Sequence, residues 1–226
     1  MIVYHGSQRI IESPVYSFGK EEKDFGRGFY CTESLELAKE WACPIQKDGY
    51  ANIYDLEIDS LNVLNLNSGN FNILNWLALL MKNRRFNLSK NKTLGISGKK
   101  YIIENFLPDI SGYDVIIGYR ADDRYFAFAK DFIQGGISVR QLSNAMKLGE
   151  LGEQVVLMSQ KAFDHISFKG YETSDSSIYY EMRMEREMRA NSAFNAMHEA
   201  VDFRRDDLFI LDILREGVKS DDPRLR

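Results

Sequence analysis

The period of the hydrophobic positions changes several times along this chain. Ile2, Val3 and Tyr4 form a short apolar run that predicts a first strand, and Tyr54, Leu56 and Ile58 alternate with Asp55 and Glu57 at the period of a half-buried strand. Over 71–84 the period lengthens to that of a helix. Phe71, Leu74, Leu77, Ala78 and Met81 share a face there, and basic residues close the last turn, where they suit the carbonyl end of the helix dipole. The compact apolar run at 113–119 reads as a buried strand, followed by Ala121-Asp122-Asp123 and an aromatic helix over 124–133. Ser138 is placed to cap a helix over 139–148 that stops at Gly149, and 154–159 is the next strand. From Ile178 to Val201 a charge-dense, Met-rich stretch repeats at helical spacing, and a further short helix is expected over 206–214. Strands alternate with helices without an internal repeat, so the pattern predicts a mixed α and β chain with a helical C-terminal part.

Composition narrows the function classes. At 226 residues, 44% hydrophobic and 27% charged, the chain is expected to be globular, and it has no run of about 18 apolar residues to span a bilayer. The segment Met1 to Ile10 lacks the basic and long apolar regions of a signal peptide, so the expectation is a cytoplasmic protein without membrane contact. Two cysteines, Cys31 and Cys43, make no disulfide framework, and three histidines without metal-ligand spacing predict a metal-free site. A formal net charge of −4 argues against nucleic-acid binding by bulk charge. The stretch 82–100 departs from that average. It holds seven basic side chains, among them Lys82, Arg84 and Arg85, and no acid. Its Asn, Ser, Gly and Lys content is that of a solvated linker; the alternative is a surface for an anionic partner, with Phe86 as a stacking residue.

The residues with the most chemistry sit early. Tyr4-His5-Gly6-Ser7 follows the first strand, and Asp24-Phe25-Gly26-Arg27-Gly28-Phe29-Tyr30-Cys31-Thr32 leads into a helix that carries Trp41 and ends near Pro44. A glycine directly after a strand lets the backbone approach a planar carboxamide, His5 offers a partner for a sugar hydroxyl, and Arg27 between two glycines suits a diphosphate. Phe29 and Tyr30 alternate faces, so one of them points to the core and the other into a cleft, where an aromatic ring stacks on a flat heterocycle. Taken singly, each of these is also an ordinary structural residue. Cys31 reads as a small core cysteine or as an acceptor of automodification, with no basic neighbour fixed by sequence to activate it.

His5-Gly6-Ser7 together with Gly28-Phe29-Tyr30 and the Trp41 helix resembles the diphtheria-toxin-like ADP-ribosyltransferases, which include the poly(ADP-ribose) polymerases. The wider motifs look closest to an uncharacterised bacterial family of that superfamily. The resemblance implies an α+β fold of two antiparallel sheets splayed around an NAD cleft. It also implies that His5 contacts a ribose hydroxyl, Gly6 holds the nicotinamide carboxamide and Tyr30 stacks on the nicotinamide ring. Trp41, eleven positions after Tyr30, matches an aromatic that closes the other side of the ring, although Leu35, Ala38 and Ala42 beside it look like core. Ala38 stands where the polymerases carry a carboxamide-binding hydroxyl, leaving Ser7 or Thr32 to compensate.

The superfamily places an acid, or sometimes a glutamine, at the start of a late strand, and Glu153 and Gln154 both precede the apolar run here. Adjacent strand residues face opposite sides, so one of the two enters the cleft. Glu153 is favoured, because a carboxylate stabilises an oxocarbenium-like transition state better than a neutral amide; Gln154 is the rival and Glu150 a weaker substitute. Asp122 and Asp123 either fix a turn or orient the acceptor. His165 and His198 read as incidental.

The resulting expectation is a catalytic domain over 1–171 and a helical extension over 172–226. It uses NAD to transfer a single ADP-ribose unit to a protein or nucleic-acid acceptor and releases nicotinamide. Many bacterial relatives are toxins or conflict effectors, which implies an antitoxin or inhibitory partner, with the C-terminal helices as its place. The competing readings are a non-catalytic NAD or ADP-ribose binding module and a nucleic-acid-directed transferase whose segment 82–100 holds the substrate.

Overall fold

The computed structural model describes the chain except Ile45, 87–91, Asp122, 149–151, 200–203 and Arg226, and except the side chains of Lys92, Asp123, Arg124, Tyr125 and His198. The chain runs β1 (Ile2–Ser7), β2 (Phe29–Cys31), α1 (Leu35–Ala42), β3 (Gly49–Leu56), β4 (Val63–Asn65), α2 (Ile73–Asn83), α3 (Lys92–Phe106), β5 (Val115–Tyr119), α4 (Asp123–Ile133), α5 (Val139–Ala145), β6 (Glu153–Leu157), α6 (Gln160–Asp164), β7 (Ile166–Ser174), α7 (Ser176–Glu199) and α8 (Ile210–Glu216). This is an α+β fold with two sheets.

One sheet is antiparallel in the order β1-β3-β7, and the other has the order β2-β6-β5-β4. The second sheet is mixed rather than antiparallel throughout: β4 runs parallel to β5, because α2 and α3 carry the chain back across the sheet between them. The two sheets meet at a single bridge, where Tyr4 N donates to Thr32 O at 2.8 Å and Thr32 N to Tyr4 O at 2.9 Å.

Alternation along the strands divides the core in two. Val3, Cys31, Tyr54, Leu56, Val155 and Leu157 pack between the sheets, whereas Ile116 and Val156 face the opposite way, toward α2 to α5 and α8. Helix α2 does not bury one face only. Ile73 to Met81 are all buried, because sheet and helices enclose the element on every side. Ser138 caps α5 as expected: its hydroxyl accepts from Gln141 N, and the Gln141 side chain accepts from Ser138 N at 2.9 Å. The helix ends at Ala145 with Met146 as its C-cap. Gly149, the expected stop, lies outside the described residues.

Elements β4, β7, α3 and α6 carry no clear sequence signal. The stretch expected as linker is helical from Lys92 onward, its loop-like composition concealing Leu94, Ile102 and Phe106, which pack into the core. The C-terminal part is integrated with the rest. Residue 171 lies inside β7, α7 starts two residues after β7 ends, and Leu208, Ile210, Ile213 and Val218 belong to the larger core.

Candidate functional site

The bridge between the sheets fixes the first pair of site residues. Beyond it β1 and β2 stop pairing, and the ring Nδ1 of His5 takes the carbonyl of Tyr30 at 2.7 Å. A carbonyl only accepts, so Nδ1 carries the proton and Nε2 is left as an acceptor in the neutral ring. Burial holds the His5 pKa below its ordinary value, which favours this neutral form. The ring stacks on Phe29 with centroids 4.4 Å apart.

Gly6 serves two purposes. Its Cα faces α1, where a Cβ would fall on the Ala38 carbonyl and lie 2.7 Å from Ala42 N, so only glycine lets this helix lie against the strand. Because Tyr4 directs both backbone groups toward β2, the strand period directs those of Gly6 to the same edge, past the point where pairing ends.

Tyr30 is oriented by its hydroxyl, which donates to Gly26 O at 2.7 Å and accepts from Phe25 N at 3.0 Å. Gly26 has φ +87, a conformation that favours glycine, so the turn that holds the phenol depends on it. Burial pushes the Tyr30 pKa well up, and the phenol stays protonated.

The register of β6 separates the two late-strand candidates. Glu153 lies opposite Tyr119 and Gln154 opposite Gly118. The Glu153 carboxylate is exposed and accepts from Asn67 Nδ2 at 2.6 Å, away from His5 and Tyr30. Gln154 is 2% exposed, and its Nε2 donates to Asp24 Oδ2 and to Tyr119 O, each at 3.1 Å. Two acceptors around one nitrogen identify that end as the NH2 and leave Oε1 as the amide's open acceptor.

Sequence reasoning missed Asp24, the hub of this arrangement. It is 4% exposed and accepts from Arg84 Nη1 at 2.9 Å and from Ala121 N at 2.9 Å, besides Gln154. The residue sits at the start of the quoted glycine-rich motif, but only the fold reveals its partners.

His5, Gly6, Tyr30, Trp41 and Gln154 line one cavity of about 430 Å³. Lys23, Arg84, Arg120 and Arg183 line it too, against the single carboxylate of Asp24 among the described lining residues. Burial, together with the charges of Arg120, Arg84 and Lys20, lowers the Lys23 pKa in spite of Asp24. Arg120 lies over the Trp41 ring at 4.2 Å, so one face of that indole is covered by a guanidinium. The Trp41 Nε1 is buried with no hydrogen-bond partner among the described residues.

A second cavity of about 620 Å³ shares His5, Lys23 and Tyr30 with the first. Arg27, Gly28 and Phe29 line it, with the apolar side chains of Ile10, Val15 and Phe18 from the β1–β2 connection. Arg27 pairs with Glu21.

Other expected residues lie elsewhere. Ser7 Oγ accepts from Arg9 N at 3.2 Å, and the Thr32 hydroxyl accepts from Ser34 N at 3.2 Å; neither lines either cavity. The basic stretch divides: Arg84 enters the cavity, Arg85 pairs with Glu22 at 2.7 Å, and Lys82 is exposed on the last turn of α2. Phe86 packs on Phe126 with centroids 4.1 Å apart. Asp122 and Glu150 lie outside the described residues, and Asp123 begins α4. His165 bonds Ser60 and the Lys161 carbonyl away from the cleft. Cys31 is buried in the core between the sheets, and burial raises its pKa, which keeps it a thiol. Among the described residues no group of three or more His, Cys, Asp or Glu could hold a metal ion, and no helix is long and apolar enough to cross a membrane.

The fold and site define an α+β protein with a cationic cleft at the junction of two sheets. The chain belongs to the family described as "Protein of unknown function (DUF3990)", whose model matches residues 1–168. No curated protein and no solved structure matches it. The matched segment ends within β7, so α7 and its Arg183 lie beyond it.

Proposed function

We propose that this protein is an NAD-dependent ADP-ribosyltransferase, transferring one ADP-ribose unit to a macromolecular acceptor. One observation carries the reading. His5 Nε2 and Gln154 Oε1, both acceptors by their hydrogen bonding, belong to one cavity beside the Tyr30 ring although they come from opposite ends of the matched segment. Two acceptors beside an aromatic face suit a ribose that carries a flat heterocycle.

The cavities fit such a substrate. Each has the size of a small-ligand site, and the two adjoin through His5, Lys23 and Tyr30, as the two halves of a dinucleotide require. The cations of the first cavity suit the diphosphate. The Gly6 N–H and C=O are directed to the edge where a carboxamide would add to β1, and Tyr30 offers its ring to the nicotinamide.

In the reaction the bond between the ribose anomeric carbon and the nicotinamide ring nitrogen breaks, and its electron pair neutralises the ring. The sugar becomes oxocarbenium-like. An acceptor lone pair then forms the new bond to that carbon, and the acceptor's proton passes to solvent, so NAD and acceptor give ADP-ribosylated acceptor, nicotinamide and a proton. Gln154 holds the ribose hydroxyl through Oε1 and presents its carbonyl dipole to the developing positive charge. Asp24 fixes the amide from behind.

The test is release of labelled nicotinamide from NAD by purified protein with cell lysate. Release that disappears in Gln154→Ala and persists in Glu153→Gln supports the reading, and release unaffected by Gln154→Ala overturns it. A second reading, a non-catalytic ADP-ribose binding module, is favoured by the cleft's β6 residue being an amide. It predicts ADP-ribose binding without nicotinamide release.

A further inference from the structure

We infer that α7, outside the family-matching segment, completes the ligand cleft, and that Arg183 on it binds a phosphate group of the ligand. The inference deepens the dinucleotide reading and rests on it only for the identity of the molecule that carries the phosphate.

The helix is fixed firmly enough to place a side chain. It follows β7 with one residue between, and its first turn is held by Asp48, whose Oδ1 accepts from Ser176 N at 2.9 Å and from Ser176 Oγ at 2.8 Å. One turn further, Lys39 of α1 lies over the Tyr179 ring at 5.3 Å. Arg186 then makes a two-pronged pair with Glu40 of α1, at 2.7 and 3.1 Å, and Glu40 is 1% exposed. Arg183 stands one turn before that anchor, on the same side of the helix.

The guanidinium is oriented for a ligand. Glu187 accepts from Arg183 Nε at 3.0 Å, which leaves the Nη groups without an acceptor among the described residues, and the side chain is 25% exposed at the cavity it lines. Lys23 lines the same cavity, and its side chain has no hydrogen-bond or ion-pair partner among the described residues. Two cations facing one cavity, with Arg120 and Arg84 also in its wall, define a site for a dianionic group. A phosphorylated ligand meets that requirement and a neutral one does not. The segment following β7 is therefore part of the binding site.

Calorimetric titration of the full chain with ADP-ribose, and separately with inorganic pyrophosphate, tests this. Arg183→Gln is expected to weaken both by about 10- to 100-fold, the effect of a lost charge-assisted hydrogen bond, with an unchanged unfolding midpoint. Arg183→Lys is expected to restore part of the affinity. Should Arg183→Gln lower the midpoint, the lysine variant decides: affinity that does not recover with the charge overturns the assignment. Unchanged affinity in Arg183→Gln, or wild-type protein that binds neither probe, also overturns it. If both probes bind through Arg183 while NAD yields no nicotinamide, the transferase reading fails and this assignment stands. If nicotinamide is released and Arg183→Gln binds normally, the reverse holds.

Discussion

Gln154 and Asp24, 130 residues apart, share a buried hydrogen bond of 3.1 Å, which engages the nitrogen of a cavity-lining amide on β6 and leaves its oxygen as the open acceptor. The same carboxylate holds Arg84 and the Ala121 amide. One side chain thus joins the start of the glycine-rich motif, the end of α2, the residues after β5 and the beginning of β6.

Asp24→Asn should therefore act on stability and function together. It removes the negative charge that Arg84 pairs with and weakens one of the two hydrogen bonds that orient the Gln154 amide, the other being to Tyr119 O. A loss of about 2–4 kcal/mol is expected from a disrupted buried ion pair and its hydrogen bonds, measured by urea unfolding. A larger fall in nicotinamide release than in ADP-ribose affinity would mark the effect on Gln154.

In the proposed reaction Gln154→Ala removes an acceptor that the transition state would use. Nicotinamide release should fall about 100- to 1,000-fold, the range for a lost electrostatic group at a reacting centre. Glu153→Gln changes a contact with Asn67 and a charge near Tyr119, both outside the cavity lining, and should leave the rate within about twofold of the wild type. Steady-state kinetics on the two variants separates these positions.

Gly6→Ala places a methyl group on the Ala38 carbonyl. The backbones of β1 and α1 would have to part, at a cost of about 1–3 kcal/mol or more for overpacking. The chemical denaturation midpoint should fall, and an unchanged midpoint would mean that α1 lies farther from the strand.

His5 gives the protein a pH dependence. Its folded-state pKa is lowered, so the unfolded chain binds the proton more readily. The contribution to stability is fully present above the unfolded value of about 6.5 and is lost as pH falls through it toward the lower folded value. Thermal midpoints at pH 7.5 and 5.5 should differ more for wild type than for His5→Gln, a window above the ordinary carboxylate range.

Arg186→Met leaves Glu40 buried without its partner. A loss of about 3–5 kcal/mol is expected, read by urea unfolding. A negligible change would mean that α7 is not anchored there.

Much of the candidate site was legible in the sequence because motifs set it locally. His5, Gly6 and Tyr30 follow from short runs at the ends of strands, and Trp41 from the helix after them. The choice between Glu153 and Gln154 was not legible, since parity in a strand has meaning only once a partner sets the register. Here that partner is β5, which puts Glu153 opposite Tyr119. Chemistry alone pointed to Glu153, whose parity places it beside Asn67 and not in this cavity, while the cavity's carboxylate, Asp24, came from another segment. Lys23, Arg120 and Arg183 left no local mark for the same reason. In the fold, β7 escaped because Gly170, at φ +143, and a register irregularity opposite it interrupt the alternation that marks a strand. Helix α3 escaped because lysine and glycine conceal a sparse apolar face.

The Tyr4–Thr32 bridge has one more implication. Two sheets held together by a continuous ladder would fix the width of any opening between them through the backbone. Here a single pair of residues makes the joint, and side chains such as His5 and Phe29 set the spacing beyond it. Exchanging a few side chains is therefore expected to change the width of the opening while both sheets and their registers stay untouched.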